Sequence, residues 1–289
     1  MKKPKLILLA ILVPAVMVSF ASNPGKKEFV LKYNVPAGQS FTLTSQSTNN
    51  MTTEQMGQSI SVDMAASGET VYRALAAQPD GSMQYEMEFK ARTASAKSEM
   101  GGGDTDFSTW IGKKMNFNLS PLGEVSGFKG FEQLPEISGA TGEKMNGDQI
   151  SKTLGQQFMR VPDHAIKLKE SWNTKDSTEV PYAGSKLTNV SDTKYTAKEV
   201  TKLDGMECLV IEYTESAKLT GTFEQQGMEI ELTRQTTATG TILFALEKGM
   251  FVSMDGNSVS NSQIYVSAAG MTIPQEMKGK SSIKVVFDK

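Results

Sequence analysis

Apolar and polar residues alternate along most of this chain with a period of two. Met83-Gln-Tyr-Glu-Met-Glu-Phe89 places Met83, Tyr85, Met87 and Phe89 on one face, and Met115-Asn-Phe-Asn-Leu119 and Met228-Glu-Ile-Glu-Leu232 alternate without a fault. Weaker copies run through 41–44, 60–64, 250–254 and 283–287. Strands with one apolar and one polar face belong to antiparallel sheets packed on one side and wet on the other. Glycine-containing turn signals punctuate the runs at Pro79-Asp-Gly81, Asp204-Gly205, Gln226-Gly227, Lys248-Gly249 and Asp255-Gly256. The pattern predicts about 11–12 strands arranged as meanders.

Helical spacing is confined to the middle of the chain. Asp104-Thr-Asp-Phe-Ser-Thr-Trp-Ile111 has acids at a helix start, Phe107, Trp110 and Ile111 at i, i+3 and i+4, and Gly112 as a stop. Asn146-Gly-Asp-Gln149 reads as a capping box. After it Ile150, Leu154 and Phe158 recur every four residues, and Pro162 closes the segment. The expected architecture is mainly β: a large curved antiparallel sheet or open half-barrel with two short central helices. A first meander covers about 28–95, a helical middle about 104–165 and a second meander about 170–288, within one β-rich domain over 22–289.

The N-terminus carries a different pattern. Met1-Lys-Lys-Pro-Lys5 is basic, 6–18 is apolar, and Ser19-Phe-Ala21 offers small residues for cleavage, so 1–21 reads as a secretory signal peptide. The apolar run is short for a membrane span, and no cysteine follows it to carry a lipid. The expectation is an exported chain, periplasmic or extracellular, soluble after cleavage near Ala21 and without a transmembrane segment. Removing the three signal lysines leaves 27 Lys and Arg against 32 Asp and Glu. That acidic balance argues against nucleic acid as a partner. Cys208 is the one cysteine, so no internal disulfide forms. Its setting in Cys208-Leu-Val-Ile-Glu-Tyr213 reads as a buried small hydrophobe.

Two segments carry a resemblance: Gly112-Lys-Lys-Met-Asn-Phe-Asn-Leu-Ser-Pro-Leu-Gly-Glu-Val125 and Val161-Pro-Asp-His-Ala-Ile-Lys-Leu-Lys-Glu-Ser-Trp172. Together they resemble an uncharacterised exported bacterial family known only as a domain of unknown function. Lys169 stands where that family usually has glycine. The family brings no activity and no functional residues. Its fold is similar to the open β-barrels of lipoprotein carriers, which wrap helices around an apolar cavity; this is a likeness of fold and not of function.

No motif assembles a catalytic or metal centre, and no cofactor is implied. His164 is the lone histidine, beside Asp163, and no Gly-x-Ser-x-Gly elbow supplies a nucleophile. Gly101-Gly-Gly-Asp-Thr-Asp106 lacks the ligand spacing of a calcium loop and reads as a capping linker with freedom to act as a hinge. The acid pairs Glu86/Glu88 and Glu229/Glu231 lie opposite the apolar faces of their strands, so they read as solvated. Trp110 and Trp172 read as packing residues. Seventeen methionines are the unusual count. They do not cluster at copper-ligand spacing, and methionine also suits adaptable apolar surfaces.

The expected function is noncatalytic binding or carriage of an apolar ligand, a lipid or acyl chain, in the cell envelope. The candidate groove is lined by Met83, Tyr85, Met87, Phe89, Met115 and Phe117 and covered by Ile150, Leu154 and Phe158. Whether the two strand faces meet is open at this level. The alternative is an envelope protein acting through protein–protein contact with no small-molecule ligand.

Overall fold

The computed structural model describes residues 27–288 apart from 56, 100, 142–143, 183–184 and 226; the signal peptide expected over 1–21 and its expected cleavage near Ala21 lie outside the described residues. Its strands are β1 (Glu28–Phe29), β2 (Ser40–Gln55), β3 (Gln58–Ala77), β4 (Met83–Ser98), β5 (Gly101–Asp104), β6 (Lys114–Leu119), β7 (Val125–Lys129), β8 (Ile137–Ser138) and β9 (Lys144–Met145). One helix follows, α1 (Gly147–Gln157), then β10 (Ile166–Lys167), β11 (Ser171–Tyr182), β12 (Ser185–Leu203), β13 (Met206–Gln225), β14 (Met228–Ala245), β15 (Met250–Val266) and β16 (Met271–Phe287).

Twelve of these strands form one antiparallel sheet in the order β11-β12-β13-β14-β15-β16-β2-β3-β4-β6-β7, with β5 beside β4. The two meanders anticipated from the pattern are thus one sheet. They join where β16 pairs with β2, Phe287 opposite Phe41 and Met277 opposite Met51. The sheet is not closed by strand pairing. Instead α1 packs against both terminal strands, β7 and β11. Gln156 Nε2 donates to Thr178 Oγ1 of β11 at 3.3 Å, and Val161 N–H donates to the Leu122 carbonyl ahead of β7 at 3.1 Å. Arg160 faces Glu124 at 3.0 Å and, more loosely, Asp176 at 3.9 Å. The helix therefore touches both ends of the sheet.

The helix forms as its sequence predicts. Asn146 accepts from Gln149 N–H, and Gln149 Oε1 accepts from Asn146 N–H, completing the capping box. Leu154 is buried, Ile150 is half-buried, and Phe158 is buried just beyond the last turn.

The second anticipated helix is not there. Residues 101–104 form β5, and 108–112 make only turns. Asp106 accepts from Ser108 N–H as a cap would, but Gly112 has φ 78° and donates to the Phe89 carbonyl on β4. That bond holds the chain against the sheet after one turn. Phe107 and Trp110 are still buried, while Ile111 is exposed. The tri-glycine linker is likewise a short strand: a β-carbon on Gly102 would overlap the Ala96 carbonyl.

Asp255-Gly256, expected as a turn, lies inside β15. The glycine is required there by packing: a side chain at 256 would collide with Tyr213 Oη.

Candidate functional site

The register fixes which side chains share the inner face. Near one end of the strands, Phe41, Tyr72, Met87 and Met115 lie in one row, and Tyr85 faces Phe117 in the next. The two strand faces left open by the sequence therefore do meet. They meet in a packed core: Tyr85, Met87, Phe89, Met115 and Phe117 are almost wholly buried, and the Tyr85 and Phe117 rings stack at 5.5 Å. Phe158 closes over them, 5.9 Å from Phe117 and 5.7 Å from Tyr33. Met83 and Ile150 pack at the margin.

The strands run on well past this core, and their inner face changes character. One row reads Met254, Ile283, Ser45, Gly68, Arg92; the next reads Gly256, Ser281, Ser47, Ala66, Ala94. Bulky residues give way to small ones. The result is a cleft of about 410 Å3 lined by the sheet and by Phe107, Ala140 and Met145 from outside its strands. None of the nine residues proposed from the sequence lines it. Beyond it the inner face turns apolar again, with Met64 and then a row of Val62, Met51 and Met277, all half-buried.

Arg92 sits in the wall of this cleft. Its guanidinium lies 5.1 Å from the ring centroid of Phe89 and 5.2 Å from that of Phe107. Burial pulls its pKa down, partly offset by Tyr72. Strict alternation from Phe89 would send Arg92 to the outer face. A register break between Glu69 and Thr70, opposite Ala91 and Phe89, leaves Lys90 as an extra residue and turns Arg92 inward. Sequence reasoning missed Arg92 for that reason: a bulge leaves no period-two signature.

The other residues with chemistry in reach are otherwise engaged. His164 is exposed, with Nδ1 3.0 Å from Asp163 and Nε2 3.6 Å from Glu170; the hydrogen bond to Asp163 leads in raising its pKa. Cys208 is buried beside Ala245 and Val252, and burial raises its thiol pKa. Glu86 pairs with Lys114 at 2.9 Å and Glu88 with Lys90 at 2.5 Å on the outer face. Trp110 and Trp172 donate their indole N–H groups to the carbonyls of Pro135 and Arg160. Among the described residues no group of His, Cys, Asp and Glu could hold a metal ion, and no helix is long and apolar enough to cross a membrane.

A mainly β chain, with one large antiparallel sheet, two small two-stranded ones and one α-helix among the described residues, is the class this architecture defines. Residues 69–251 match the model of a family of unknown function, DUF6263, and the chain belongs to that family. The match takes in β4, Arg92 and α1. No curated protein matches the chain. One solved structure similar to it is a Bacteroides fragilis protein described as having a YmcC-like fold and taken there to be exported. It shows 11% identity over 90% of this chain and 99% of its own, with a TM-score of 0.24.

Proposed function

We propose that this protein is exported and binds an apolar ligand of the cell envelope, such as an acyl chain or lipid, without catalysing a reaction on it. The observation that carries this is the inner-face cleft, lined by strands of the sheet and by Phe107, Ala140, Thr141 and Met145. Its volume falls within the range of small-molecule sites. Small residues make the space, and methionines continue the apolar surface beyond it. Thioethers adapt to chains of differing shape, and each buried methylene contributes ~0.8 kcal/mol before ordering costs. The basic and apolar N-terminal segment supports export. The surface ion pairs of Glu86 and Glu88 and the solvated setting of His164 support a noncatalytic role.

The site differs from the groove expected of Met83 to Phe89. Those side chains form the floor on which the cleft rests, with Phe89 directly beneath Arg92. The test is titration of delipidated mature protein with a fluorescent long-chain fatty acid. Saturable binding is expected in the wild type and strong loss in Ala94→Trp, which fills the cleft, provided the variant melts as the wild type does. Equal binding by a folded Ala94→Trp would place the ligand elsewhere, and no binding by the wild type would refute the reading.

A further inference from the structure

We infer that the ligand of the inner cleft carries a compact anionic head group, a carboxylate or a phosphate monoester, held by Arg92. This rests on the binding role proposed above and narrows its ligand from apolar to amphipathic.

Arginine remains charged in proteins, and its guanidinium presents five N–H donors. Arg92 is half-buried, and even partial desolvation of a charge without a partner costs free energy. Among the described residues Arg92 has no ion pair and no hydrogen-bonded acceptor. The rings of Phe89 and Phe107 offset part of the desolvation through their π faces, but they are not acceptors for a fork of N–H groups. An oxyanion fits that fork in two parallel bonds.

Thr105 gives a second, independent sign. It is buried, and its Oγ1 has no hydrogen-bond partner. Its backbone N–H donates to the Ala94 carbonyl at 2.9 Å, two residues along β4 from Arg92. It lines a neighbouring cleft that shares Ser47, Ala66 and Ala94 with the first. A buried hydroxyl left unpaired is itself unfavourable. Thr105 lines only the neighbouring cleft, so the Arg92 fork alone meets the head group, and the Thr105 hydroxyl marks the adjoining space as polar.

The remaining surface suits an aliphatic tail. Gly68 faces Arg92 across the β3–β4 ladder, and Met64 and Val62 follow on the same face of β3. The six residue steps from Gly68 to Val62 span about 20 Å of strand, and Met51 and Met277 flank the far end. A head at Arg92 and a tail toward Met277 fit one long-chain amphiphile.

The test compares a pyrene-labelled long-chain fatty acid, its methyl ester and the corresponding alkyl phosphate, with wild type, Arg92→Met and Arg92→Lys. Wild type is expected to prefer at least one anion over the ester by about tenfold or more, as a charge-assisted hydrogen bond provides. Arg92→Met removes that preference and keeps the ester affinity within about threefold; Arg92→Lys keeps a part of it. Which anion wins assigns the head group. Equal affinity of wild type for all three probes overturns the inference and leaves the apolar-ligand reading standing. Retained preference in Arg92→Met overturns it as well. Failure of every probe to bind the wild type overturns both readings. Should Arg92→Met not fold, the wild-type preference and its retention or loss in Arg92→Lys decide.

Discussion

The phenol of Tyr213 lies over Gly256, two strands away. Gly240 separates them in the ladder, and a β-carbon on it would stand 2.6 Å from the Tyr213 ring. Two glycines in mid-strand usually weaken a sheet; here they give an aromatic ring room to lie flat on the inner face. Gly256→Ala is expected to destabilise the protein by about 1–3 kcal/mol, as overpacking does. Tyr213→Ala in the same chain should recover most of that loss. Denaturant titration of the two single variants and the double variant checks the coupling. Additive losses would mean that the ring does not impose the glycine.

Lys169 adopts φ 70°, in the left-handed region, and donates its N–H to the Ala197 carbonyl at 2.6 Å. A lysine there is strained in a way that glycine is not. The glycine expected at this position from the family resemblance therefore has a physical cause. Lys169→Gly should stabilise the fold by roughly 0.5–1 kcal/mol, the gain in backbone strain exceeding the entropy cost in the unfolded chain. A lower denaturant midpoint in the variant would contradict this.

Phe158 packs against Tyr33, Phe117 and Phe251 and is nearly inaccessible to solvent. Phe158→Ala should cost ~3–5 kcal/mol. A loss below ~0.5 kcal/mol, the level of an ordinary surface change, would mean that the face between α1 and the sheet is not a packed core.

Glu215 lies on the inner face of β13 opposite Thr193, and burial raises its pKa above the ordinary 4.5, with a smaller contribution from Asp176. A carboxyl held more tightly protonated in the folded state destabilises the fold once it ionises. Stability should therefore fall as pH rises from 4.5 through the folded-state pKa. Glu215→Gln should be more stable than wild type at neutral pH and indistinguishable from it in acid below that window. Melting curves at both ends of the range give the answer; a variant less stable at neutral pH would reverse the sign.

Much of the scaffold is legible in the sequence because it follows simple periods. Residues 83–89 of β4, all of β6 and 228–232 of β14 alternate strictly, and α1 announces itself through Asn146, Gln149 and the four-residue spacing of Ile150, Leu154 and Phe158. Three things were not legible. The segment from Asp104 to Ile111 has helical spacing, but Gly112 bonds to β4 after one turn. Gly256 carries a turn signature, yet its cause is a ring from another strand. The inner cleft depends on a bulge at Lys90 that reverses the facing of every later residue of β4. The strand residues proposed as a groove were read as two apolar faces whose meeting was left open, and a face reads alike whether it lines a space or fills one. Only the register, with Tyr85 opposite Phe117 and Met87 opposite Met115, separates the two.

The central claim is that the space beside Arg92 holds an amphipathic small molecule. Native mass spectrometry of the mature protein, purified without detergent from its own cells, tests it most directly. The account predicts an added mass of one lipid-sized acid that solvent extraction releases, present in wild type and absent from Ala94→Trp. A wild-type protein that carries only its polypeptide mass, and takes up no fatty acid or alkyl phosphate when these are supplied, would contradict it.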